Sequence, residues 1–211
     1  MHASPAYTTR PLPADLSADT VFVNLSGDYG YLGDGYYKSM EAEHEGRMAL
    51  PNPSEALDAY VVPLALTKAK AAGIPIPAWE IANDDTVSFD PPLIAYPVNP
   101  VQSQGIVAND QAATEETIKT LTMGGKYALV LQDIPKDSRV DTMRVIIGRC
   151  LKPEYAELAA KVWETFHIPL ARVKVIVTEE TYLFSAIEPL PREELTQNEK
   201  AILKEAGLWR A

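Results

Sequence analysis

Between Asn24 and Gly46 the chain reads NLSGDYGYLGDGYYKSMEAEHEG, a glycine- and tyrosine-rich loop set between a β-branched run and a charged, helix-like one. That order confines the chain to folds in which a strand feeds a helix through a tight turn, as in α/β architectures. Gly27, Gly30, Gly33 and Gly35 leave the backbone free to take positive φ or to approach a ligand closely. Tyr29, Tyr31, Tyr36 and Tyr37 add flat, half-polar surface. The segment reads equally as a turn sealed by aromatics and as a binding loop.

Around this loop, Thr20 to Leu25 predicts a buried strand and Tyr36 to Glu45 a short amphipathic helix. Tyr36, Tyr37, Met40 and Ala42 are its apolar positions, and Gly46 stands where a C-terminal cap belongs. Arg47 to Pro51 reads as an edge-like strand. Ser54 and Glu55 open a further helix that runs to Gly73, kinked or divided by Pro63. From Ile74 to Pro100 the density of prolines excludes a regular helix and predicts extended segments, with a strand at Leu93 to Tyr96.

Farther along, Thr114 to Leu121 predicts a short helix ended by Gly124 and Gly125, and Lys126 to Gln132 a strand. A polar connector, Asp133 to Asp141, leads to a strand at Thr142 to Gly148. Pro153 to Phe166 reads as a helix with Tyr155, Leu158, Ala159, Val162, Trp163 and Phe166 on one face. Arg172 to Val177 and Tyr182 to Ile187 form a hairpin through Thr178 to Thr181, and Thr196 with Glu199 makes a capping box for a last helix ending at Gly207. The fold class is therefore α/β, a mixed sheet with flanking helices. Residues 1–19 read as an extended arm and 20–211 as a single α/β domain; two lobes, about 20–100 and about 114–211, separated by the proline-rich middle, are the alternative arrangement.

Composition removes several functions. A chain of 211 residues with 46% hydrophobic content can bury a sizeable core, and a net charge of −10 disfavours a broad nucleic-acid contact. No apolar run approaches the roughly 20 residues of a membrane helix, and the N-terminus lacks the apolar core of a signal peptide, so no membrane partner and a cytoplasmic location are expected. Cys150 stands alone and reads as a small core residue. His2, His44 and His167 lie too far apart for the close spacing of common metal sites, and neither a phosphate-binding G-x-x-x-x-G-K-[ST] nor a G-x-S-x-G nucleophile turn occurs. No metal and no cofactor is expected.

Two separated motifs resemble the N-terminal domain that precedes the catalytic module in RimK-like ATP-grasp proteins. The front one consists of Asn24, Leu25, Tyr29, Tyr31, Leu32, Gly35, Tyr36, Tyr37, Ser39, Ala42, Glu43, Gly46 and Pro51. The back one consists of Gly148, Arg149, Pro153, Phe166, Pro169, Leu170, Arg172, Ile187, Pro189, Leu190, Glu194 and Leu195. The stretch from about Ile74 to Leu121 carries little of the likeness. Longer members of that family continue into the ATP-grasp module, whose ATP-binding lysines and metal carboxylates have no counterpart before Ala211. The resemblance implies a standalone version of the front domain with no complete catalytic site. It also implies an accessory or substrate-recognition role, with an amino-acid or peptide-like ligand or a separate ATP-grasp ligase as partner. Glu41, His44 and Glu45 depart from the apolar and basic residues expected in that helix, which speaks against anion binding there.

The residues themselves qualify the loop's chemistry. If Gly35 begins the helix, Asp34 as its N-cap satisfies the free amides, and Asp28 adds negative charge, so an amine suits the loop better than phosphate. Candidate ligand- or partner-binding residues are Asn24, Tyr29, Tyr31, Gly35, Tyr36, Tyr37, Ser39, Glu43, Arg149 and Arg172. Ser39 and Glu43 lie four apart on one helix face and either contact a ligand or bond each other. Arg149 and Arg172, at the ends of two strands, either pair to hold a carboxylate or make salt bridges with Glu188 or Glu194. A small enzyme using Glu43 beside tyrosine hydroxyls, and a structural subunit of a larger assembly, are the competing readings.

Overall fold

The first strand, β1 (Val21–Val23), hydrogen-bonds in parallel to β2 (Met48–Leu50), with Val21 opposite Met48 and Val23 opposite Leu50. Parallel neighbours need a crossover, which α1 (Asp34–His44) supplies. The computed structural model of the chain describes residues 10–83, 87–98 and 104–209. Residues 1–9 of the expected N-terminal arm lie outside them.

Helix α2 (Pro53–Tyr60) opens on a capping box in which Asn52 accepts from the Glu55 amide and the Glu55 carboxylate accepts from the Asn52 amide. Division rather than kinking is the outcome at Pro63. The α2 helix stops at Val61, and α3 (Val62–Ala71) restarts there with the proline in its first turn, where its missing N–H costs nothing.

The proline-rich middle contributes β3 (Trp79–Ala82) and β4 (Leu93–Pro97), which join β5 (Ile106–Ala108) and β6 (Leu129–Asp133) in an antiparallel sheet ordered β3-β6-β4-β5. Only β4 is predicted from the sequence of that middle. The unpredicted β3, and β5 beyond the middle, are short strands without a clear alternating pattern. Helix α4 (Gln111–Leu121), capped by Asp110, seals one face by placing Ile118 among Leu93, Ala95, Leu129 and Leu131. The strand expected at Lys126 begins only at Leu129, because the Lys126 and Tyr127 amides bond back to the Thr122 carbonyl at 2.9 and 3.0 Å.

The third sheet is the antiparallel β7 (Arg139–Ile146), β8 (Leu170–Val177) and β9 (Tyr182–Pro189), with β8 in the centre. Strand β7 starts earlier than its apolar residues suggest, since pairing with β8 extends from Ile146 opposite Leu170 back to Arg139 opposite Val177. Between β7 and β8, a 3₁₀ turn at Pro153–Tyr155 leads into α5 (Ala156–Phe166), and the predicted face is the buried one. The last helix, α6 (Gln197–Glu205), carries the Thr196–Glu199 capping box.

The main core packs α2, α3 and α5 against β8 and β9, with Phe166 stacked on Phe184 at 5.5 Å. Two sheets are joined through a buried polar bridge. Ser185 Oγ of β9 donates to Gln132 Oε1 of β6 at 2.6 Å, Gln132 Nε2 donates to the Ser185 carbonyl at 3.0 Å, and Tyr96 Oη of β4 lies 2.9 Å from Ser185 Oγ. Among the described residues no helix is long and apolar enough to cross a membrane. The chain has a mixed α/β fold of parallel and antiparallel strands with flanking helices.

Candidate functional site

The loop between β1 and α1 is organised around Asn24, which is buried. Its Nδ2 donates to the Gly35 carbonyl at 2.7 Å and to Ser39 Oγ at 2.9 Å, and its Oδ1 accepts from the Ser26 amide at 3.1 Å. Tyr29, wholly buried, donates its hydroxyl to the Asn24 carbonyl at 2.7 Å, and burial pushes that phenol's pKa far up. Gly35 is required by close approach: a Cβ there would stand 2.0 Å from the Asp28 carbonyl oxygen. Asn24, Tyr29, Gly35 and Ser39 therefore build the loop, and their polar groups are spent inside it.

Helix α1 buries Gly35, Ser39 and Ala42, a face of small residues, against the loop and β2. This corrects the sequence expectation, because Tyr37 and Met40 point to solvent. Small side chains win the inner face because the loop and β2 press too closely for large ones. Tyr31 is exposed and Tyr36 half-buried; Tyr36 meets Tyr31 and Tyr37 edge-on at centroid distances of 5.4 and 6.2 Å. Glu43 is exposed, and Ser39 bonds Asn24 instead of reaching it.

The helix start also differs from expectation. Leu32 takes a left-handed φ of 67°, the Gly33 amide bonds the Gly30 carbonyl at 2.8 Å, and the N-cap falls on Gly33 with no side-chain capping bond. Asp34, one residue inside, pairs with Lys38 at 2.5 Å instead of covering the amides. A cleft of about 430 Å³ opens beside this helix start. Phe22 to Ser26 line it together with Asp34, Lys38, Arg192 and Glu193, which bring charges of both signs. Arg192 is held by its guanidinium lying 4.2 Å over the Trp209 ring. Lys38, Arg192 and Glu193 are not among the residues the sequence singles out. The one available signal is that Arg192 and Glu193 fill the unspecified positions between Leu190 and Glu194 in the back motif.

The two candidate arginines do not form a shared site. Arg172 pairs with Glu194, one of the two partners the salt-bridge reading names, while Arg149 reaches Glu205 at 2.5 Å. Across the strands Arg172 faces Arg144, which grips Glu199 at 2.6 and 2.9 Å and the Glu194 carbonyl at 2.9 Å. These arginines fasten the segment from Glu194 to Glu205 to the third sheet and the turn after β7.

A second ionic cluster is buried and has no signature in the sequence. His167 Nδ1 lies 2.7 Å from Glu55 Oε1, and Arg10 reaches both carboxylate oxygens of Glu55 at 3.2 and 2.9 Å. Burial pushes the Glu55 carboxyl up, but the hydrogen bonds from His167 and the Asn52 amide, with the Arg10 charge, outweigh it and hold the pKa below 4.5.

The solved structure of a RimK domain ATP-grasp protein from Sphaerobacter thermophilus matches with a TM-score of 0.61 at 15% identity, covering 83% of this chain and 75% of that one. D-Alanine–D-alanine ligase from Helicobacter pylori matches with a TM-score of 0.62 at 14% identity, covering 90% and 73%. An L-amino acid ligase from Bacillus licheniformis matches with a TM-score of 0.51 at 14% identity, covering 72% and 45%. Identities this low establish a shared fold. No curated protein matches the sequence. The family model for the RimK-like ATPgrasp N-terminal domain matches residues 97–206, which include the back motif, whereas the front motif from Asn24 to Pro51 lies outside them. Since that match spans more than half of its length, the chain belongs to the RimK-like ATP-grasp N-terminal domain family.

Proposed function

We propose that this protein is a substrate-recognition component related to ATP-grasp carboxylate–amine ligases, and that it binds an amino acid or a short peptide. The observation that carries this reading is the cleft at the end of β1, where Lys38 and Arg192 stand with Asp34 and Glu193. A zwitterion needs both signs of charge within a few ångströms, with its carboxylate on the cations and its amine on the acids. The cleft's volume of about 430 Å³ suits an amino acid or dipeptide. Two proteins that share this fold are named for joining amino acids, D-alanine–D-alanine ligase and the L-amino acid ligase, which supports the same substrate class. In this reading the chain binds and orients, and bond formation belongs to a ligase.

Calorimetry with a panel of free amino acids and dipeptides tests the proposal. Lys38→Glu and Arg192→Glu should each weaken the binding member at least about tenfold, or about 1.4 kcal/mol. Absence of binding across the panel, or binding unchanged in both variants, would overturn it. A second reading, docking on a separate ATP-grasp ligase, is favoured by the exposed aromatic and methionine side chains along α1.

A further inference from the structure

We infer that the outer face of α1 is a docking surface for a basic amphipathic helix of another protein. Tyr37, Met40, Glu41, His44 and Glu45 stand together on the exposed outer face of that helix. Positions 37, 40, 41 and 44 follow the i, i+3, i+4, i+7 spacing by which one helix lies along another. Tyr37 is 47% and Met40 45% exposed, and the patch continues through the loop to Tyr31 at 46% and Leu32 at 58%. Aromatic residues and methionine are the side chains enriched at the buried centres of protein interfaces.

Charge chooses among occupants. Glu41 and Glu45 stand on this face, and Glu43 is exposed on the same helix. Among the described residues no ion pair forms to Glu41 or Glu43, while Glu45 pairs with Arg47. The whole chain carries a net charge of −10, which attracts a basic partner at long range. A second copy of this chain is the poorer occupant. Two-fold packing of α1 on its own image would bring like carboxylates together and a strongly acidic protein against itself.

The inference deepens the docking reading and rests on it. A labelled amphipathic helix of leucine and lysine, about five turns long, serves as probe, with the leucine and glutamate counterpart as its opposite. Fluorescence anisotropy should show binding of the basic probe, weakened about tenfold or more by Met40→Asp and by Tyr37→Ala. Glu41→Gln combined with Glu45→Gln should weaken it about threefold and flatten its salt dependence. The charge-matched control on α4, Glu115→Gln combined with Glu116→Gln, should leave it unchanged. Equal loss in that control, or no loss with Met40→Asp, would overturn the assignment to this face. Equal binding of the acidic probe would overturn the basic partner while leaving docking intact, and binding of neither probe would remove both. Dimers in sedimentation that Met40→Asp dissolves would give this face to a second copy instead.

Discussion

The Leu190 amide donates to the Gly27 carbonyl at 2.8 Å, which brings the end of β9 against the loop that follows β1. The two motifs that carry the family resemblance, far apart in sequence, are thus parts of one structural junction. Gly27 sits at φ 79°, and a Cβ on it would stand 1.9 Å from the Leu190 carbonyl oxygen. The charged cleft is lined by residues from both sides of this junction, Asn24 to Ser26 on one and Arg192 and Glu193 on the other.

Gly27→Ala should therefore destabilise the protein more than Gly46→Ala. Gly46 has a similar φ of 78° but open space around its missing Cβ. Left-handed strain alone costs about 1–2 kcal/mol and should be the whole effect at position 46. At position 27 a backbone clash adds to it, so the loss should exceed about 2 kcal/mol. Urea unfolding of both variants measures the difference, and equal losses would mean that the junction yields freely.

The Glu55–His167 contact should make stability depend on acid. The folded pKa of Glu55 lies below its unfolded value near 4.5, so its contribution is present above 4.5 and lost as pH falls through the folded pKa. Glu55→Gln should destabilise the protein at pH 7, and its gap from the wild type should narrow steadily below pH 4.5. Urea midpoints taken across pH 7 to 3 check this. A gap that stays constant over that range would show that the carboxylate charge contributes nothing.

Ser185→Ala should cost about 1–3 kcal/mol, because it leaves Gln132 Oε1 and the Tyr96 hydroxyl without their shared partner in a fully buried site. Thr178→Ala, at the exposed hairpin turn, should fall much closer to the wild type. Thermal unfolding distinguishes the two. A Ser185→Ala variant as stable as the wild type would mean that another group takes over the bridge.

Much of the fold was legible wherever local chemistry is strong. Thr196 and Glu199 announce the start of α6, and the apolar stripe from Tyr155 to Phe166 identifies the buried face of the fifth helix. Where the sequence reading missed, tertiary packing overrode local pattern. The inner face of α1 belongs to Gly35, Ser39 and Ala42 because the Asp28 carbonyl and β2 leave no room for tyrosine, so Tyr37 and Met40 turn outward. Strands β3 and β5 have little pattern of their own and exist through pairing with β6 and β4.

By itself, then, the sequence determined the α/β class, most helix limits and the strand-to-helix turn made by the glycine and tyrosine loop, since capping, periodicity and turn geometry act over a few residues. Only the tertiary structure decided what the loop's residues do. Tyr29 and Ser39 each bond Asn24, while Arg192 and Glu193 arrive beside Asp34 and Lys38 from the far end of the chain. Hydrogen-bond partners and charge neighbours across such separations are set by the packing of whole elements, which no local spacing encodes.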